Sequence, residues 1–253
     1  EATTSSPAEA LTEATGFAAL GLPTELLAAV STLGFTEPTP IQNEAVPALL
    51  AGRDLVGVAQ TGTGKTAAFG LPLLAAIDPS DRSTQALVLT PTRELAIQVS
   101  DAIASFVPQG RRIEVLPIYG GASFMPQLRG LERGAQVVVG TPGRVMDMLE
   151  RRKLNLSTAN FVVLDEADRM LDMGFIHDVT RILDKIPSRQ NLGMFSATIS
   201  REVMDISWVY QRDPVEITVQ ATKENKPDIL QYRLEVPSDG KVDAIAKILA
   251  HEN

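Results

Sequence analysis

The sequence contains no cysteine. Disulfides and zinc–thiolate sites are therefore excluded, and nothing points to an oxidising compartment. Histidine is nearly absent as well: His177 and His251 are the only two, far apart in the chain. A histidine metal centre or a Ser–His pair lacks its material, and each reads more simply as a surface or helix-end residue. No apolar run approaches the roughly 18 residues of a membrane helix, and no secretory leader pattern is visible. A cytoplasmic protein without membrane contact is the expectation. Positive charge is also in deficit, with 23 Lys and Arg against 31 Asp and Glu and a net charge of −8. Bulk electrostatics would repel nucleic acid, so any such site must be a local patch.

What is present is ordinary for a globular chain: 253 residues, 44% hydrophobic and 21% charged. That length suits one large α/β domain, or one domain and part of another. Residues 1–16, rich in Ala, Thr, Ser and Glu, read as a flexible tail. Helical patterns follow over 22–34, closed by Gly34, and from Pro40 to Leu50. Short aliphatic runs then alternate with helical stretches. Strands are expected at 54–59, 86–90, 114–119, 137–141, 161–165, 192–197 and 215–219, and helices at 93–106 and 169–185 among others. Runs such as Val137-Val138-Val139 are apolar on both faces, as in parallel strands covered on both sides. The alternation predicts a doubly wound, mostly parallel sheet flanked by helices. Residues 220–228 read as an exposed linker. A strand over 229–236 and an amphipathic helix over 241–250 then read as the start of a second, truncated domain, or alternatively as an appendage of the first.

The chemistry concentrates after the first strand. Ala59-Gln60-Thr61-Gly62-Thr63-Gly64-Lys65-Thr66 runs from a strand into a helix. Glycines let backbone amides converge on phosphate oxygens, and the helix N-terminus favours the same anion. Lys65 supplies a point charge to the outer phosphates, and the Thr66 hydroxyl suits Mg²⁺. The acidic partner such an ion needs is at the end of an apolar strand, Asp165, followed by Glu166. Asp165 would hold Mg²⁺ through water, and Glu166 would orient or deprotonate the attacking water.

Across about Phe17 to Val219 the sequence resembles the DEAD-box RNA helicases of superfamily 2. Asp165-Glu166-Ala167-Asp168 is the tetrapeptide that names them, and residues 34–42 look like the Q motif, with Phe17 as the isolated upstream aromatic. Ala59–Thr66 matches motif I, including the family's alanine where the general pattern has glycine. Pro91-Thr92-Arg93 opens motif Ia, Gly120-Gly121 is the glycine doublet, Thr141-Pro142-Gly143-Arg144 is motif Ib, and Ser196-Ala197-Thr198 is motif III. The resemblance implies a RecA-like first domain using ATP and Mg²⁺. It implies that Gln42 reads the adenine edge, Phe17 stacks on the base, and Ala59, Gln60, Thr61, Gly62, Thr63, Gly64, Lys65 and Thr66 hold the phosphates. It implies catalytic roles for Lys65, Asp165 and Glu166, and RNA-backbone contacts by Pro91, Thr92, Arg93, Gly120, Gly121, Thr141, Pro142, Gly143 and Arg144, with Gln127 and Arg129 as further candidates. Asp168, Ser196 and Thr198 would couple the two sites, and RNA binding would be largely sequence-independent.

The family's second domain supplies arginine fingers from a His-Arg-x-Gly-Arg motif, which this sequence does not contain. The expectation is a monomer that binds nucleotide, turns it over barely if at all, and needs the missing RecA-like domain to unwind RNA. An ATP-gated RNA clamp with incidental turnover is the second reading. A DNA-directed or transport ATPase is the third, disfavoured by the Q motif and the tetrapeptide.

Overall fold

The computed structural model describes residues 15–187, 189–219, 233–237 and 240–251. The chain divides into two compact units, residues 1–220 and 221–253. The first is built on seven strands: β1 (Leu55–Val58), β2 (Ala86–Leu89), β3 (Val115–Ile118), β4 (Val137–Gly140), β5 (Phe161–Asp165), β6 (Asn191–Ser196) and β7 (Val215–Thr218). They form one sheet in the order β3-β4-β2-β5-β6-β1-β7. Every pairing is parallel, so the expected mostly parallel sheet is parallel throughout.

Alternate residues of the strands feed two separate cores. Ala86, Val88, Val137, Val139, Phe161 and Val163 pack on one face with residues of α1 (Thr24–Thr32), α2 (Pro40–Leu50), α3 (Lys65–Ala75) and α4 (Arg93–Ser105). Leu87, Leu89, Val138, Val162, Leu164 and Met194 pack on the other. That face is covered by α5 (Phe124–Glu132), α6 (Pro142–Glu150), α7 (Ala167–Asp172), α8 (Ile176–Leu183) and α9 (Arg201–Tyr210). Burial on both faces is why these strands read as unbroken aliphatic runs.

The strands begin or end a residue inside several expected bounds, because residues such as Thr90 and Thr141 leave the ladder to enter the site loops. The single helix expected over 169–185 is two. Gly174 sits at φ +83° and ends the first, a conformation that a side chain would strain. Of the expected tail, residues 1–14 lie outside the described residues, and Gly16 opens a short 3₁₀ turn, Gly16–Leu20. In the second unit, α10 (Lys241–His251) forms as expected. Arg233–Pro237 shows no strand, and the rest of that expected strand lies outside the described residues. Among the described residues no helix is long and apolar enough to cross a membrane.

Candidate nucleotide and RNA site

The strand order sorts the motifs into two neighbouring groups. β5, β6 and β1 are adjacent, and their carboxyl ends deliver Asp165–Asp168, Ser196–Thr198 and Ala59–Thr66 to one place. β3, β4 and β2 are adjacent as well, and theirs deliver Gly120-Gly121, Thr141–Arg144 and Pro91–Arg93. Ligands of open parallel sheets sit beyond these ends.

In the first group the loop leaves β1 pinned to β6, with the Ala59 N–H donating to the Ser196 carbonyl at 3.0 Å. The Thr63 hydroxyl donates to the Gln60 carbonyl at 2.7 Å. Gly62 and Gly64 have φ of +84° and +89°, and Gly64 directly precedes α3. Lys65, the first residue of that helix, is buried, and its ammonium has no hydrogen-bond partner. An unpaired buried ammonium is costly. It is the one feature of the loop that folding alone does not explain, and it fits a phosphate.

Asp165 is likewise buried, at 3% exposure. Burial pushes its carboxyl up to about 6; the nearby Lys65 charge pulls against this, while Glu166 and Asp168 add to it. Its Oδ1 accepts from the Glu166 N–H at 3.1 Å. Glu166 itself is in the left-handed region, φ 51° and ψ 51°, an uncommon place for a side-chain-bearing residue. Its carboxylate pairs with Arg169 Nη1 at 3.1 Å. No cluster of three or more His, Cys, Asp or Glu able to hold a metal occurs among the described residues. The donors present, a hydroxyl and one carboxylate, match an ion that keeps most of its water.

Asp168, Ser196 and Thr198 are joined as a unit. Asp168 Oδ2 accepts from the Thr198 N–H at 2.9 Å and from its hydroxyl at 2.8 Å. The Ser196 hydroxyl accepts from the Asp168 N–H at 3.3 Å and donates to the Thr198 carbonyl at 2.7 Å. Burial pushes the Asp168 carboxyl up, but the Thr198 hydroxyl and the surrounding donors outweigh it and hold the group below its ordinary value. A carboxyl depressed on folding stabilises above its unfolded pKa and loses that contribution as pH falls through the folded value. Asp168→Ala should therefore cost about 1–2 kcal/mol near neutrality. The difference from wild type should shrink below about pH 4; urea midpoints at several pH values would measure it.

Two residues have partners inside the protein besides the roles expected of them. Gln42 is 1% exposed. Its Oε1 accepts from the Thr39 N–H at 3.0 Å and its Nε2 donates to the Gly64 carbonyl at 3.1 Å. In this state it clamps the start of α2 to the phosphate loop. Phe17 is buried, with its ring edge-on to Phe35 at 6.3 Å, and Phe35 meets Phe106 at 6.0 Å. It anchors an aromatic cluster here.

In the second group Arg93 is exposed, its guanidinium 5.1 Å above the Tyr119 ring and open to a ligand. Thr92 caps α4 through the Leu95 N–H. Pro142 occupies the first turn of α6. Arg144 is mostly buried; Nη2 donates to the Ala122 carbonyl at 3.1 Å and Nη1 has no partner. Gln127, a weak candidate from sequence, is buried and spends its amide on the Tyr119 N–H and the Tyr119 and Ser123 carbonyls. Gln127 and Arg144 thus hold the Gly120-Gly121 loop from two sides. Arg129 is exposed. Sequence type alone could not reveal which way these side chains turn.

Known proteins share this sequence and fold. The DEAD/DEAH box helicase family model matches residues 39–206. The chain is 48% identical over 243 residues to the ATP-dependent RNA helicase DeaD of Haemophilus influenzae, covering 96% of this chain and 40% of that protein. It is 46% identical over 239 residues to the protein of the same name from Escherichia coli, covering 94% and 38%. The crystal structure of a DEAD box protein from Methanococcus jannaschii superposes with a TM-score of 0.79 at 38% identity, covering 94% of this chain and 64% of that one. This chain therefore spans well under half the length of those two curated relatives. With the family model spanning the phosphate loop, the acidic tetrapeptide and the motifs that the sheet order assembles, the chain belongs to the DEAD/DEAH box helicase family.

Proposed function

We propose that residues 17–219 form the ATP-binding first domain of an ATP-dependent RNA helicase, and that residues 220–253 form a linker and the start of a second domain. The buried, partnerless Lys65 ammonium beside the buried Asp165 carboxylate carries this reading. In it, Lys65 and the amides of Gly62 to Thr66 hold the ATP phosphates, and Thr66 and Asp165 hold Mg²⁺, which when bound supplies positive charge to the phosphate oxygens. Glu166 orients the attacking water after parting from Arg169. Gln42 reads adenine with the N–H and lone pair its two contacts leave open. Phe17 packs behind the base. Asp168, Ser196 and Thr198 transmit the nucleotide state to the RNA-facing loops. The reading also has the protein as a monomer in the cytoplasm, a reducing compartment in which a sequence without cysteine is at home.

RNA would lie along Arg93, Gly120-Gly121 and Thr141–Gly143, gripped by phosphate and sugar. Arg144 acts there by holding the loop through the Ala122 carbonyl. Arg93→Ala should weaken single-stranded RNA binding about 5- to 10-fold and lower the salt slope by about 1. Fluorescence anisotropy at several salt concentrations measures both, and an unchanged slope would remove Arg93 from the contact. Without arginine fingers, worth roughly 10³–10⁵ in rate in related enzymes, the chain alone should bind ATP and hydrolyse it barely. A steady-state assay with RNA tests this, and turnover on the order of 1 s⁻¹, ordinary for a complete enzyme, would contradict it.

A further inference from the structure

The amino ends of the strands carry charge that the proposed activity does not use. Arg82 precedes β2, Arg112 precedes β3 and Arg133 precedes β4, and these three strands are neighbours. The topology thus brings three arginines to one end of the sheet. They line a pocket of ≈ 360 Å³ with Ile113, Glu114, Gly134 and Gln136.

The pocket is built. Arg82 Nη1 donates to the Arg133 carbonyl at 3.1 Å. A Cβ on Gly134 would lie 2.7 Å from the Arg82 Cβ, so the two loops touch. Arg133 pairs with Glu114 at 2.6 Å, which neutralises the one acid of the lining. Gln136 fixes the floor, accepting from the Glu114 N–H at 2.9 Å and donating to the Arg112 carbonyl at 3.4 Å. Arg112 is exposed, and its guanidinium has no partner among the described residues. An adjoining recess shares Arg82 and adds Lys153, Ser83 and Thr158. Cations therefore outnumber acids here in a chain of net charge −8.

Planar arginine forks around a concave site suit phosphate oxygens. The strands separating these amino ends from the Arg93 and Gly120 loops are each four residues long, so the two sets of loops are separated by at least the roughly 13 Å that such a strand spans. We propose that this pocket is a second anion site, taking the phosphates of a ligand other than the ATP in the phosphate loop. That chemistry has two sources, a free polyphosphate or the backbone of an RNA long enough to reach round the domain.

Calorimetry with tripolyphosphate, and anisotropy with short and long single-stranded RNA, would separate them. Arg112→Glu removes no intramolecular partner and should fold normally, with Arg112→Lys as the mild control. If the source is free polyphosphate, Lys65→Ala keeps one tripolyphosphate site that Arg112→Glu abolishes. If it is RNA, Arg112→Glu weakens long RNA at least 5-fold, reduces its salt slope, and leaves short RNA and ATP unchanged. Either result supports the pocket. If Arg112→Glu and a second variant, Arg82→Gln, leave all three ligands and the salt slope unchanged, the arginines are only a solvated surface and the proposal fails.

Discussion

Lys65→Ala is expected to lower ATP affinity at least 100-fold, about 2.8 kcal/mol, without lowering the melting temperature. The two halves of that expectation have one cause. The ammonium is buried and unpaired, so the folded protein bears a desolvation cost that no internal hydrogen bond offsets. Removing the group removes the cost. It also removes the charge that pulls the Asp165 carboxyl back toward ionisation, so Asp165 would hold its proton more readily and meet a metal less well. Nucleotide binding therefore loses a phosphate contact and part of a metal site together. An ordinary core lysine, satisfied by its neighbours, would show the reverse: stability would fall and ligand binding would follow it. Calorimetric titration with Mg·ATP beside a thermal melt tells the two apart. Unchanged affinity in a folded variant would sink the reading of the loop.

The features legible in the sequence are those carried by contiguous residues. Strand interiors announced themselves because a parallel strand covered on both sides needs no polar alternation, as in Val137–Val139. The phosphate loop and the tetrapeptide could be read because each lies within one strand-to-loop step, where local backbone geometry is set by the glycines and by the end of the ladder. The structure added what depends on distant partners. Nothing within residues 169–185 except Gly174 signals that the apolar period is shared by two helices. Gln127 and Arg144 look from sequence like ligands for RNA, because amides and guanidinium groups suit phosphate. Their partners at Tyr119, Ser123 and Ala122 become visible only when α5 folds back on the end of β3 and α6 comes up beside the loop between them. Gln42 is similar: its amide meets Gly64 across a gap of 22 residues. Polar side chains that brace a site and those that touch its ligand are the same residue types, and only direction distinguishes them.

The second large effect is expected at a residue that the sequence presents merely as the start of a strand. Asp54 is buried, 3% exposed, at the end of β1 away from the site. One carboxylate oxygen accepts from the Leu192 N–H at 2.6 Å and the other from the Arg212 N–H at 2.6 Å. Arg212 Nε stands 3.8 Å away, and the partly buried Arg189 guanidinium, pushed down mainly by burial, is pulled back up by the Asp54 charge. The Leu192 N–H lies one residue before the β1–β6 register begins at Leu55 and Gly193. The side chain of Asp54 thus supplies an acceptor next to where the ladder stops, and joins β1, β6 and the turn after α9. Asp54→Ala leaves a buried N–H unsatisfied and two arginines without their shared counter-charge. Losing two short backbone hydrogen bonds to a buried carboxylate costs about 3–5 kcal/mol, or roughly 10 °C in melting temperature for a unit of this size. Asp54→Asn should cost less, because one amide oxygen still accepts while its NH₂ faces the other donor. Since β1 and β6 end in the phosphate loop and in Ser196, the slackening should reach the site as weaker ATP binding only after stability has fallen. Urea midpoints for both variants test this order. A change below about 0.5 kcal/mol, the ordinary effect of a surface substitution, would show that Asp54 is no latch.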